Sequence, residues 1–135
     1  MNLFTSDVMV ALTKSLDTSA LRQKVSANNI ANVNTPYFKK STVEFEKYLQ
    51  QALSKDPAPM RATDPRHFGA KPGLESVRPE VLRHRWTTMR TDLNNVDIDE
   101  EMTNLAANNI MYQTLATLIS DRYSGLNSVI TGTRR

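Results

Sequence analysis

From Ile98 the chain reads in alternating steps of four and three: Ile98, Met102, Leu105, Asn109, Tyr112, Ala116, Ile119, Tyr123, Leu126 and Ile130. All but Asn109 are apolar or aromatic. This is the a/d spacing of a coiled-coil seam, sustained over more than four heptads with no proline. Asp97 stands where an N-cap belongs, and Glu100 three residues on, where the second member of a capping box sits. Asp99 and Glu101 add negative charge at the end of the helix dipole that favours it. A helix from Asp97 to Ile130 spans roughly 50 Å. So long a helix with so narrow a stripe cannot bury itself within 135 residues. It needs a partner helix, from this chain or from a neighbour.

The other end of the chain supplies one. Thr5, Ser6 and Asp7 are three successive N-cap candidates. After them Val8, Met9, Leu12, Leu16, Ala20, Ala27 and Ile30 keep one helical face, widened by Leu21 and Val25. Its small residues allow close approach of another helix, so the pattern predicts a helix over residues 6–31 paired with one over 97–131. The first stops at Asn32-Val33-Asn34-Thr35-Pro36, where asparagine tolerates left-handed angles and proline disfavours helix before it. From Thr42 a shorter helix is expected, with Val43, Phe45, Tyr48, Leu49 and Leu53 on one face. A strand at Thr42–Phe45 is the less favoured alternative.

Five of the six prolines, Pro57, Pro59, Pro65, Pro72 and Pro79, fall in the middle with Gly69 and Gly73. Residues 55–92 carry eight Lys/Arg against five Asp/Glu, and one candidate strand places Leu82, His84, Trp86 and Thr88 on a common face. A segment so long without structure of its own either is mobile until assembled or lies along a neighbour. The expected fold class is therefore mainly α: long terminal helices pairing as a coiled coil, with an irregular proline-rich middle holding a short strand or hairpin. It divides into an N-terminal helical region (1–54), the middle (55–93) and a C-terminal helix (94–135) within one structural domain.

The same residues exclude several chemistries. There is no cysteine, hence no disulfide, thiolate or cysteine metal site. His67 and His84 lack HExxH spacing, and His84 stands between two arginines. Asp97, Asp99, Glu100 and Glu101 close a stretch, Asp92 to Glu101, that lacks the glycine of a calcium loop, and helix capping accounts for them. No P-loop, nucleophile elbow or dinucleotide fingerprint is present, so neither an enzyme nor a cofactor is expected. The net charge of +3 is mild. Trp86 among Arg83, Arg85 and Arg90 leaves one alternative, a helical adaptor or regulator binding nucleic acid or an anionic surface through its basic middle. The first residues show no Sec-type signal, and no apolar run reaches membrane-spanning length. Ala-Asn-Asn-Ile occurs at 27–30 and again at 107–110, and no physical role follows from the repeat alone.

At Ser26-Ala27-Asn28-Asn29-Ile30-Ala31-Asn32-Val33-Asn34-Thr35-Pro36-Tyr37-Phe38-Lys39 the sequence resembles the signature of bacterial flagellar rod and hook proteins. Thr63-Asp64-Pro65-Arg66-His67-Phe68 and Asn94-Asn95-Val96-Asp97-Ile98-Asp99-Glu100-Glu101-Met102 resemble the middle and C-terminal motifs of proximal members of the flagellar basal-body rod family. The motif residues carried over are Ala27, Asn28, Asn29, Ile30, Ala31, Asn32, Asn34, Thr35 and Pro36. Tyr37 departs from the pattern, standing where the family has glycine, and a turn of different geometry is expected there.

The resemblance implies a structural subunit of the bacterial flagellum, located in the basal-body rod within the periplasmic space and exported without a cleaved signal peptide. It implies assembly through the terminal helices into an axial tube that transmits torque and surrounds the export channel. The implied partners are copies of itself, other proximal rod subunits of the FlgC and FlgF type, the rod-base adaptor FliE and the flagellar type III export apparatus; no nucleic acid or small-molecule substrate is implied. The candidate assembly interface comprises Leu12, Leu16, Ala27 and Ile30 with Ile98, Met102, Leu105, Tyr112, Ile119, Tyr123, Leu126 and Ile130. Phe4 and Val8 have the spacing of an export-recognition element.

Overall fold

The computed structural model describes residues 6–53 and 73–132. Phe4, His67, the motif at 63–68 and the middle segment up to residue 72 lie outside the described residues. The elements are α1 (Asp7–Ala31), β1 (Ser41–Glu44), α2 (Glu46–Leu53), a short 3-10 turn (Leu74–Ser76), β2 (Glu80–Arg83) and α3 (Ile98–Thr131). The structure is mainly helical, with the two long terminal helices packed against each other and a small two-stranded sheet beside them.

The helix boundaries follow from their caps. Ser6, one of three candidates, takes the N-cap of α1, its hydroxyl accepting from Met9 N–H at 3.4 Å. Asp97 caps α3, with Oδ1 accepting from Asp99 N–H at 2.9 Å and from Glu100 N–H at 3.4 Å. Gly132 closes α3 with φ 64°, a left-handed geometry that suits glycine. Glu100 does not complete a capping box but turns to Lys40 Nζ at 2.8 Å.

Two polar bonds set the antiparallel register of α1 and α3. Asn29 Nδ2 donates to Glu101 Oε2 at 3.1 Å, and Asn108 Nδ2 donates to Ser19 O at 2.8 Å. Thr18 and Ser19 are almost fully buried, and these small side chains let the helices approach closely. Thr18 loses nothing by burial, because its hydroxyl donates to Lys14 O at 2.7 Å. The two Ala-Asn-Asn-Ile copies thereby acquire a physical role: each sends one asparagine, Asn29 or Asn108, across to the opposite helix.

Residues 41–44 form a strand where the shorter helix was expected to begin, and that helix starts only at Glu46. The β-branched Thr42 and Val43 find a partner in β2, with Ser41 opposite Arg83 and Glu44 opposite Glu80. The strand anticipated around Leu82 and His84 is thus real but short, breaking into a turn at Arg85 and Trp86. It pairs with its own chain rather than with a neighbour. His84 is half-buried and bonds Thr42 Oγ1 at 2.8 Å. Apolar burial is modest: Phe45, Val43, Val77, Val96, Met9 and Leu115 make the core.

Candidate assembly interface

Where α1 ends, the chain must dispose of carbonyls that no longer have helical donors. Some are taken locally, Asn32 N–H donating to Asn28 O and Asn29 O, and Thr35 N–H to Asn32 O. Asn94, 59 to 62 residues further on, adds a second clasp. Its Nδ2 donates to the carbonyls of Asn32, Val33 and Thr35 at 3.0, 3.0 and 2.9 Å, and its Oδ1 accepts from Val96 N–H at 2.8 Å. Asn95 beside it accepts from Lys40 N–H at 2.6 Å and donates to His84 O and Thr87 Oγ1. Asn29 completes the set, pairing with Ser41 and Glu101. These three asparagines are essentially inaccessible to solvent. An amide donates from one atom and accepts at another, so each of these asparagines can fasten two segments.

This junction explains much of the signature. Asn29 and Asn32 are structural bonds, with Asn32 Nδ2 donating to Asn28 O at 2.8 Å. Ala27, Asn28, Ala31, Asn34, Thr35 and Pro36 face solvent, while Ile30 is half-buried. Tyr37 shows the geometry of the turn. It adopts φ 62°, the glycine-like geometry that its side chain resists, and Leu93 does the same at 64°. A bond from Tyr37 N–H to Asp92 O at 3.0 Å holds the two loops together. The turn therefore holds a non-glycine residue at positive φ, at the cost of strain.

Sequence reasoning placed Glu101 among the capping acids. Instead it points inward, 2% exposed, against Asn29. Its spacing does contain the signal, since Glu101, Asn108 and Leu115 stand seven apart and are the buried line of α3. The apolar seam read from the sequence lies to one side of that line. Leu105, Asn109, Ile119 and Leu126 are half-buried, as are Leu12 and Leu16 on α1. Ile98, Met102, Tyr112, Tyr123 and Ile130 are exposed. A second apolar margin, Met111, Leu118 and Val129, is exposed on the other side. Helix α1 thus covers the centre of a broad apolar band and leaves both flanks open.

The ion pairs lie outside this band. Arg22 bridges α1 to Glu46 at 2.6 Å and to Val43 O at 3.2 Å. Its hydrogen bond holds the Glu46 carboxyl below the usual range, outweighing partial burial. The Tyr48 hydroxyl donates to Glu80, which raises the phenol above its ordinary value, with the Glu80 and Glu44 charges adding to the effect. Among the described residues no group of His, Asp and Glu side chains could hold a metal ion, and no helix is long and apolar enough to cross a membrane.

Long paired helices, a buried amide junction at the signature and open apolar flanks fit the flagellar rod-type subunit that the signature resembles. The family described as flagella basal body rod protein matches residues 15–39, which span the end of α1 and the signature turn. Full-length relatives narrow the class. The flagellar basal body rod protein FlgB of Borrelia hermsii is 38% identical over 135 residues, covering 96% of this chain and 99% of the relative. FlgB of Bacillus subtilis (strain 168) is 35% identical over 132 residues, covering 98% of each. FlgB of Yersinia enterocolitica is 30% identical over 87% of this chain. The chain belongs to the FlgB family of flagellar basal-body rod proteins.

Proposed function

We propose that this chain is a self-assembling subunit of the proximal rod, joined to its neighbours through the open flanks of α3. The observation that carries the reading is the asymmetry of that helix: its centre is occupied by α1, while apolar residues on both sides are exposed. Exposed apolar surface of this extent marks an interaction face. Copies stacked on these flanks build a helical tube that surrounds the export channel and transmits torque within the periplasmic space. FlgC- and FlgF-type subunits and the FliE adaptor are the neighbours expected at its ends. The seam residues Leu105, Ile119 and Leu126, with Leu12 and Leu16, hold the subunit together; Met102, Tyr112, Tyr123 and Ile130 meet the neighbour.

The test separates these two roles. Met102→Asp and Tyr123→Asp should leave the subunit helical and monomeric while preventing rod assembly, because each puts a charge into a seam that excludes water. Leu105→Asp and Ile119→Asp should lose both. Normal flagella in the Met102 and Tyr123 variants would exclude the flanks as the interface.

Passage through the type III export apparatus rests on Phe4 and Val8. Val8 is 52% exposed at the start of α1, so core packing alone does not account for it. A chain carrying Phe4→Ala and Val8→Ala should accumulate inside the cell. Secretion at the normal level without a rod would assign the pair to packing instead.

A further inference from the structure

Trp86 is the sole tryptophan of the sequence and is 96% exposed. It sits on a turn that is firmly held. Asn95 grips His84 O and Thr87 Oγ1, Lys39 Nζ donates to Thr87 O and Leu93 O, and Met89 N–H donates to Asn94 O. A rigid loop that displays an indole to solvent is pre-organised for contact, and Trp and Arg are the residues that dominate protein interfaces. Arg83 and Arg85 stand close to Trp86 in sequence, and among the described residues neither pairs with a carboxylate.

The opposite end of the same sheet is its electrical complement. Glu44 and Glu80 stand directly across from each other in the β1–β2 register. Like charges in that relation repel, yet among the described residues no cation pairs with either. The raised phenol of Tyr48 reports the same negative field. Helix α2, which follows β1, presents on its Glu46 face a shallow, open groove of about 390 Å3, lined by Glu46, Leu49, Gln50 and Leu53 and mostly apolar. Strand β2 separates the two features, with Glu80 at its start and Arg83 at its end, roughly 10 Å apart.

We infer that Trp86 of one copy docks into the α2 groove of a neighbouring copy, with Arg83 and Arg85 meeting Glu44 and Glu80. Knob and socket lie on different surfaces of the subunit, so the contact is heterologous and propagates from copy to copy. It relieves the repulsion between Glu44 and Glu80 and removes the indole from water. The inference rests on the reading of this chain as a self-assembling rod subunit and adds a second contact, away from the α3 flanks.

The experiment places the photocrosslinker benzoylphenylalanine at position 86 in cells that build flagella and contain two differently tagged copies of the chain. Basal bodies are purified after illumination. The expected product joins the two tags and maps to residues 44–53. With the crosslinker at position 53 instead, the product maps to residues 83–89, which keeps the test decisive if one placement disturbs folding. Arg83→Glu with Arg85→Glu should lower the yield at least tenfold, and a co-expressed copy carrying Glu44→Arg and Glu80→Arg should restore it. If the chain is in the basal body but position 86 joins another rod protein, nucleic acid or nothing, the inference is overturned and the rod reading stands. If the chain is absent from basal bodies, the rod reading falls and takes the inference with it.

Discussion

The side chain of Asn29 behaves as a strand towards Ser41: Nδ2 donates to Ser41 O at 2.8 Å and Oδ1 accepts from Ser41 N–H at 3.0 Å. One amide thereby closes the outer edge of β1 at that point, where an unpaired strand would invite other chains. The same Nδ2 reaches Glu101, so helix α1, strand β1 and helix α3 meet at a single residue.

Asn29→Asp replaces the shared donor with a second carboxylate facing Glu101 and the Ser41 carbonyl. Buried acceptors left without donors cost about 1–3 kcal/mol each, so the variant should lose about 3 kcal/mol in urea unfolding. A change in midpoint too small to measure would remove Asn29 from its central place.

Asn94→Ala leaves three carbonyls at the end of α1 without their common donor. Each keeps one other donor, Thr35 N–H, Arg90 Nη1 or Phe38 N–H, but the buried Val96 N–H loses its acceptor, so the variant should lose about 1–3 kcal/mol. Amide exchange should quicken first in residues 32–36, before any change in the middle of α1. A uniform loss across α1 would show that Asn94 acts on global stability rather than on the turn.

Tyr37→Gly should stabilise the isolated protein. The left-handed angle costs a non-glycine residue about 1–2 kcal/mol, and the ring is 71% exposed with little packing to lose. After the entropy that glycine gives up, a net gain of about 0.5–1 kcal/mol remains, readable as a higher thermal midpoint. A lower midpoint would mean that the ring contributes to the fold.

The Arg22–Glu46 pair makes a specific contribution at acid pH. The folded pKa of Glu46 is depressed below its ordinary 4.5, so its stabilisation is present above the unfolded value and is lost as pH falls through the folded one. Arg22→Met removes it, and the variant's stability should decline less steeply than wild type's below about pH 4.5. Because Glu46 is largely exposed, screening keeps the difference well under about 1 kcal/mol. Identical acid limbs would show the pair to be without thermodynamic weight.

The long helices were legible because periodicity and capping are local properties, and Asp97 and Ser6 cap where they should. The register was harder to read. Apolarity marks every face that needs cover, and it cannot say which one the chain covers itself. Hence Asn108, not Asn109, crosses to α1, and Glu101 turns inward while Met102 stays out. The roles of Asn94 and Asn95 were invisible for another reason: their partners lie up to 62 residues away, and no local pattern announces such bonds. Thr42 and Val43 became a strand because β2 arrived from 38 residues downstream.

Over the described residues α3 has 34 residues against 25 in α1, so nine have no counterpart, about 13 Å of helix. Helices of equal length would stack like bricks in straight courses, and a twisted column slips most easily along a continuous course. Unequal lengths make each subunit a stepped block. In the assembly proposed above, neighbours would overlap as in a lap joint, and torsion would load the sides of helices instead of a plane between their ends.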